Sequence, residues 1–258
     1  SLLRGVKMCG ISGIIDKHNM PIEHQKIQKM NDTVLHRGPD SFGYYFGDNF
    51  ALGHRRLAIL DLTEDGKQPM FFDNKYIIVY NGEVYNYLEI KEELKEYGYS
   101  YHSQTDTEVI LAAYDRWGTE CVKHFNGMWS FAIYDKEKNR IFCSRDHFGI
   151  KPFYYAEIQN KFCFGSEIKQ FTVLEGWKSI GNFEKVLDFL FLGLIEHSQE
   201  TIFEGVYQLM AGHNLVYDLT SHKYEVSPYY SLREKKKKCT LSLEEASKKF
   251  YELFEDSV

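Results

Sequence analysis

The chain has 258 residues, 43% of them hydrophobic and 26% charged, with a formal net charge of −6. That balance is ordinary for a globular protein of one large or two small domains, and its acidic surplus argues against a duplex nucleic-acid binder. No stretch approaches the roughly 18–20 apolar residues of a membrane span, and Leu2-Leu3 is too short for the core of a secretory signal.

Cysteines lie at 9, 121, 143, 163 and 239 without any C-x-x-C pair, so neither a metal site nor a disulfide framework is expected. The expected setting is a reducing, cytoplasmic one, with no nucleic-acid and no membrane partner. Met8-Cys9 is the first chemically suggestive feature. If translation begins at Met8, removal of the initiator leaves a cysteine with a free α-amine. Such an amine, with a pKa of about 7.7–8.0, is a base suited to neutral pH beside the thiol it serves. The same logic governs threonine nucleophiles that carry their own amine. Read alone, Cys9 is better explained as a small buried thiol at the start of a strand.

In chain order, Cys9–Ile15 alternates small and β-branched residues like a buried strand, and Pro21–Leu35 has helical spacing through Ile22, Ile27, Met30 and Val34. Ala51–Leu57 and Tyr76–Tyr80 read as strands, with Asn81-Gly82 as the turn ending the second. Helices are expected over Tyr87–Tyr97, closed by Gly98, and over Asp106–Trp117. Short strands follow at Met128–Tyr134, Arg140–Ser144, Phe153–Ile158 and Lys161–Phe164. Further helices are expected at Glu167–Leu174 and Asn182–Phe191, then short strands and loops over Thr201–Tyr230 with a Gly212-His213 turn. The basic run Arg233–Lys238 reads as a solvated linker, and Leu243–Val258 as an amphipathic helix that stops without a cap, as in a truncated chain. Strands grouped apart from helices make the class α+β.

Several clusters remain: His36-Arg37-Gly38-Pro39-Asp40, Gly53-His54-Arg55-Arg56-Leu57, Asn81-Gly82-Glu83-Val84-Tyr85-Asn86, Thr105-Asp106-Thr107-Glu108 and Arg145–Pro152. Singly, each has a structural explanation. Asn-Gly after a strand is ordinarily a hairpin, Asp106 before a helix an N-cap, and Arg145-Asp146 a surface ion pair of little energetic weight.

In this order, together with Cys9 and "GSEIK" at 165–169, the set resembles the glutaminase domain of class II glutamine amidotransferases, which are N-terminal-nucleophile hydrolases. The blocks "HRGPD", "GHRRLAILDL", "NGEVYN", "RDHFGIKPFYY" and "GSEIK" look most like the N-terminal half of glutamine-hydrolysing asparagine synthetases, from about Met8 to Tyr230. The resemblance implies a four-layer α/β/β/α sandwich of two antiparallel sheets. It implies that Cys9 attacks the side-chain amide of glutamine and forms a thioester, with the Asn81 side chain and the Gly82 N–H holding the oxyanion. It further implies Arg56 for the substrate carboxylate, and Asp106 with Glu83 for its ammonium. Arg37 is expected to brace the nucleophile's loop, and Arg145 and Asp146 to be framework. No metal or cofactor is expected in this domain.

The same resemblance sets the domain expectations. Residues 1–7 are a leader, a tag or a misassigned start, residues 8–230 the class II glutaminase domain, and residues 231–258 a linker and the start of a helix entering a synthetase domain absent from this chain. That synthetase domain would use ATP, Mg and aspartate, and it carries a Ser-Gly-Gly-x-Asp-Ser loop that does not occur here. A homodimer is compatible with the sequence. Two alternatives stand beside this reading: a glutaminase feeding another acceptor, such as a sugar acid, and a silent glutamine-binding module in which Cys9 stays blocked.

Overall fold

The computed structural model describes residues 8–58, 66–233, 238 and 240–257. The expectations for residues 1–7, for the part of the Gly53–Leu62 block from 59 onward, for 234–237, Cys239 and Val258 lie outside the described residues.

The chain opens with β1 (Gly10–Asp16), α1 (His24–Asp32), β2 (Ser41–Phe46), β3 (Phe50–Arg56), β4 (Met70–Phe72) and β5 (Tyr76–Val84). Next come α2 (Tyr87–Lys95), α3 (Asp106–Trp117), β6 (Gly127–Asp135), β7 (Arg140–Arg145), β8 (Tyr154–Ile158) and β9 (Lys161–Gly165). The remainder is α4 (Phe183–Leu192), β10 (Val206–Gln208), β11 (His213–Asp218), β12 (Lys223–Pro228) and α5 (Leu243–Ser257). Among the described residues these strands form two antiparallel sheets, ordered β10-β8-β9-β1-β3-β2 and β12-β11-β7-β6-β5-β4.

Strand alternation sorts side chains between the faces of each sheet. Ile11 and Ile15 of β1 and Phe50 and Leu52 of β3 meet Ile77 and Val79 of β5 in the core between the sheets. On the outer face of the first sheet, Ile14 and Ala51 pack with Ile27 and Met30 of α1. On the outer face of the second, Ile78, Tyr80 and Val84 pack with Val109, Ile110 and Ala113 of α3 and with Ile90 and Leu94 of α2. The layers are therefore α/β/β/α. No helix among the described residues is long and apolar enough to cross a membrane.

Three local expectations need correction. Asn81-Gly82 is not a turn: β5 runs on to Val84, with Asn81 opposite Ser130 and Gly82 opposite Trp129. The helix expected over Glu167–Leu174 shrinks to a 3-10 turn at Ile168–Gln170, because the Gln170 side chain turns inward to the Ile11 carbonyl at 3.1 Å. Asp106 is the first residue of α3, and the cap position belongs to Thr105. The strands β2 and β4, each at one end of a sheet, were not anticipated.

Candidate active site

Residue parity brings the candidate residues together. Counting by twos from Ile11 puts Cys9 toward the gap between the sheets, and counting from Leu52 puts His54 and Arg56 there. Counting from Val79 puts Asn81 and Glu83 on the facing surface of β5. The intervening Arg55 faces the helix layer, where its guanidinium pairs with Asp32 and its Nε donates to the Asn31 carbonyl at 3.3 Å. Sequence neighbours thus serve different layers, and Arg56 is the arginine on the side of Cys9.

The thiol lies at the end of β3. Cys9 Sγ accepts the Leu57 N–H at 3.3 Å and lies 3.6 Å from the Leu57 carbonyl. These backbone groups are its hydrogen-bond partners, and no side-chain base touches the sulfur, among the described residues. Burial pushes the thiol pKa up, while the Leu57 N–H and the charges of Arg56, Lys151 and Arg37 pull against it. The net direction is upward, so the sulfur needs a base to become a nucleophile.

Arg37 and the turn after it hold this corner. Arg37 Nε donates to the Cys9 carbonyl at 2.9 Å, and the Arg37 carbonyl accepts the Met8 N–H at 3.0 Å. A Cβ on Gly38 would stand 2.4 Å from the Arg55 carbonyl carbon, so the turn presses backbone to backbone against the end of β3. Asp40 N–H donates to the Arg56 carbonyl at 3.1 Å, and its carboxylate accepts the Ala58 N–H at 2.8 Å.

Across the gap, Asn81 is 1% exposed and its Nδ2 has no hydrogen-bond partner among the described residues. A buried amide donor without a partner is costly in a finished core, and it suits a group that awaits a ligand's oxygen. Gly82 has no room for a side chain. A Cβ there would fall 2.3 Å from the Met128 carbonyl oxygen of β6 and 2.6 Å from the Tyr80 ring.

Asp106 reaches the same neighbourhood from behind β5. Its Oδ2 accepts the Tyr80 hydroxyl at 2.7 Å and the Val84 N–H at 2.9 Å. Burial raises its pKa, opposed by those two hydrogen bonds, and the nearby Glu83 carboxylate raises it further. The structure therefore groups Cys9, Arg37 and Arg56 on one side and Asn81, Glu83 and Asp106 on the other.

Sequence reasoning missed several residues that build this site. Tyr80 holds Asp106, and His54 Nε2 donates to the Tyr80 carbonyl at 2.9 Å, tying one sheet to the other. Lys151, 7% exposed, directs Nζ to the Met8 thioether at 3.0 Å. Arg145 and Asp146 form no surface pair. Asp146 accepts the N–H groups of Trp129, Phe148, Ile150 and Lys151, and Arg145 donates to the carbonyls of Gly149, Lys151 and Leu209. The signal for Lys151 was present in the "RDHFGIKP" block, whereas Tyr80 and His54 looked like ordinary strand residues.

A family model for the glutamine amidotransferase domain matches residues 8–230. The chain belongs to the class II glutamine amidotransferases. Among curated relatives of this amidotransferase, a putative glutamine-hydrolysing asparagine synthetase 2 of Methanocaldococcus jannaschii is 43% identical over 244 residues, covering 86% of this chain and 46% of the relative. Asparagine synthetase 3 of Bacillus subtilis, also glutamine-hydrolysing, is 33% identical over 255 residues, covering 97% of this chain and 41% of the relative. The chain thus spans less than half the length of these relatives. Among solved structures, the glutamine phosphoribosylpyrophosphate amidotransferase of B. subtilis, complexed with ADP and GMP, superposes with a TM-score of 0.63 at 16% identity, covering 86% of this chain and 49% of that one. That likeness shows the shared fold of two antiparallel sheets.

Proposed function

We propose that this chain is the ammonia-producing glutaminase part of a glutamine-hydrolysing asparagine synthetase, acting through Cys9. The observation that carries the reading is the sulfur's setting: a thiol raised by burial, whose hydrogen-bond partners among the described residues are backbone groups of Leu57. The base it needs is then the α-amine of the same residue, freed when the Met8–Cys9 bond is opened.

In the proposed cycle the α-amine takes the Sγ proton and the sulfur attacks the side-chain carbonyl carbon of glutamine. Asn81 Nδ2 and the Gly82 N–H receive the oxyanion, a contribution worth about 2.7–4 kcal/mol per donor. The intermediate collapses as the α-ammonium hands its proton to the leaving nitrogen, giving ammonia and a glutamyl thioester. Water, deprotonated by the same amine, adds to the thioester and releases glutamate and the thiol. Arg56 offers a planar charged fork to the substrate carboxylate, and Asp106 with Glu83 faces its ammonium.

The ammonia would pass to a covalently linked synthetase domain that uses ATP, Mg and aspartate. Sequence similarity to the asparagine synthetases supports that acceptor, and the exposed apolar side chains Phe183, Leu190, Phe191 and Leu192 of α4 support a covering partner. We assign the protein to the cytoplasm because its described cysteines are unpaired, as suits a reducing compartment.

The test uses protein whose mass shows that it begins at Cys9. Glutamate release from glutamine is expected for this form, and none for Cys9→Ala or for protein that retains Met8. Equal release with Met8 still attached would refute the mechanism.

A further inference from the structure

The first residues of β1 lie beyond its ladder on one side. Pairing of β1 with β9 ends at Ser12 opposite Gly165, so Cys9, Gly10 and Ile11 have no strand partner there. The segment after β9 replaces the ladder with side chains. Ile11 N–H donates to Ser166 Oγ at 3.0 Å, and the Ile11 carbonyl accepts Gln170 Nε2 at 3.1 Å and the Ser166 N–H at 3.2 Å. The next grip is indirect. Arg37, whose Nε holds the Cys9 carbonyl at 2.9 Å, places Nη1 on Glu167 Oε1 at 3.1 Å.

Glu167 is itself fixed on several sides. Its N–H donates to Gln170 Oε1 at 2.9 Å, and its side chain accepts the Gln170 N–H, closing a reciprocal cap. Its carboxylate takes His36 Nε2 at 2.9 Å and Lys169 Nζ at 2.9 Å. Nε and one terminal nitrogen of Arg37 are held in this way, which restricts a long side chain, while Nη2 has no partner among the described residues.

We propose that Glu167 is a positioning residue for the nucleophile, holding the Arg37 guanidinium on the Cys9 carbonyl and so setting the direction in which Sγ points. The inference rests on the glutaminase reading above. Glu167 touches neither the sulfur nor the groups assigned to the α-carboxylate and ammonium of glutamine. Its loss therefore acts on the bond-forming step and spares binding. A misplacement of about 1 Å at a reacting atom can cost about 100-fold in rate.

The experiment compares Glu167→Ala and Glu167→Gln with the parent, all beginning at Cys9, and follows glutamate release together with the pH dependence of Cys9 alkylation by iodoacetamide. Glu167→Ala is expected to lose at least about tenfold in kcat with KM for glutamine within about twofold. Glu167→Gln, which keeps an oxygen for Arg37 Nη1, is expected to recover at least about a third of the parental kcat.

The alkylation midpoint separates two causes, because Arg37, Arg56 and Lys151 act on Cys9 as cations and the α-ammonium of Cys9 is common to every variant. Removing an anion without moving Arg37 would lower the midpoint, whereas an Arg37 released from Cys9 raises it. A rise in Glu167→Ala is the expected result, and it is readable even where turnover is too weak to measure. Unchanged kcat in Glu167→Ala, a loss carried by KM, equal damage in the Ala and Gln variants, or a midpoint that falls or stays would each overturn the proposal. A parent that releases no glutamate while the midpoint still rises would sink the glutaminase reading and leave the Arg37 clamp standing.

Discussion

The Tyr80 hydroxyl donates to Asp106 Oδ2 at 2.7 Å, and both residues are buried. β5 thus presents Asn81 and Glu83 to the space between the sheets while Tyr80, one residue away, fastens the carboxylate behind it. Burial raises the pKa of that carboxylate, and the hydrogen bonds from Tyr80 and Val84 oppose the rise.

Replacing Tyr80 by Phe removes one donor to the charged form, worth about 1.5–3 kcal/mol. The pKa of Asp106 then rises further. An Asp106 that must be ionised to hold an ammonium loses affinity as pH falls, so the acid limb of kcat/KM for glutamine is expected to move up by about one to two units. An acid limb unmoved in Tyr80→Phe would separate Asp106 from substrate binding.

Asn81→Ala and Gly82→Ala are expected to fail in different ways. The Asn81 Nδ2 has no partner among the described residues, so its removal leaves no broken hydrogen bond to that nitrogen. Turnover should fall about 100- to 1000-fold with the melting temperature little changed. The added Cβ of Gly82→Ala would lie 2.3 Å from the Met128 oxygen, so β5 and β6 must part, costing about 1–3 kcal/mol. Paired kinetics and thermal melts check both, and a marked loss of stability in Asn81→Ala would count against an oxyanion role.

Arg56→Ala should show two effects at once. Loss of a charge-assisted pair is worth about 1.5–3 kcal/mol, so KM for glutamine is expected to rise about 10- to 100-fold. Arg56 is also first among the charges that lower the Cys9 thiol pKa, so the pH midpoint of Cys9 alkylation should rise. An unchanged KM would place the substrate carboxylate elsewhere.

Stability should decline on acidification through His54. Its Nε2 donates to the Tyr80 carbonyl, and full burial lowers its pKa from 6.5 to about 4. Between those values the unfolded chain binds the proton and the native one does not. The stabilisation is complete above 6.5 and is lost as pH falls toward 4, at up to about 1.4 kcal/mol per unit. Urea unfolding at several pH values is expected to give a shallower slope for His54→Gln, which retains a donor for Tyr80. Identical slopes would remove His54 as the source.

Much of this was legible in the sequence, because the residues that make the site occur in short blocks and the strand period fixes which of them face one another. Arg55 and Arg56 separate by parity alone. The errors have a common physical origin. Asn-Gly favours a hairpin locally, yet Gly82 stays in β5 because β6 leaves no room for a side chain. The helix expected after Glu167 failed because Gln170 is recruited to a carbonyl 159 residues away in sequence. Tyr80, His54 and Glu167 act through partners distant along the chain, and no local pattern announces such pairings.

The bond from His54 to the Tyr80 carbonyl runs between the layer that carries Cys9 and the layer that carries Asn81. Sulfur and amide are therefore aligned only while the two halves of the sandwich remain seated on each other, and turnover becomes a gauge of that seating. Gentle warming or dilute urea should extinguish ammonia release while circular dichroism still reports every strand in place.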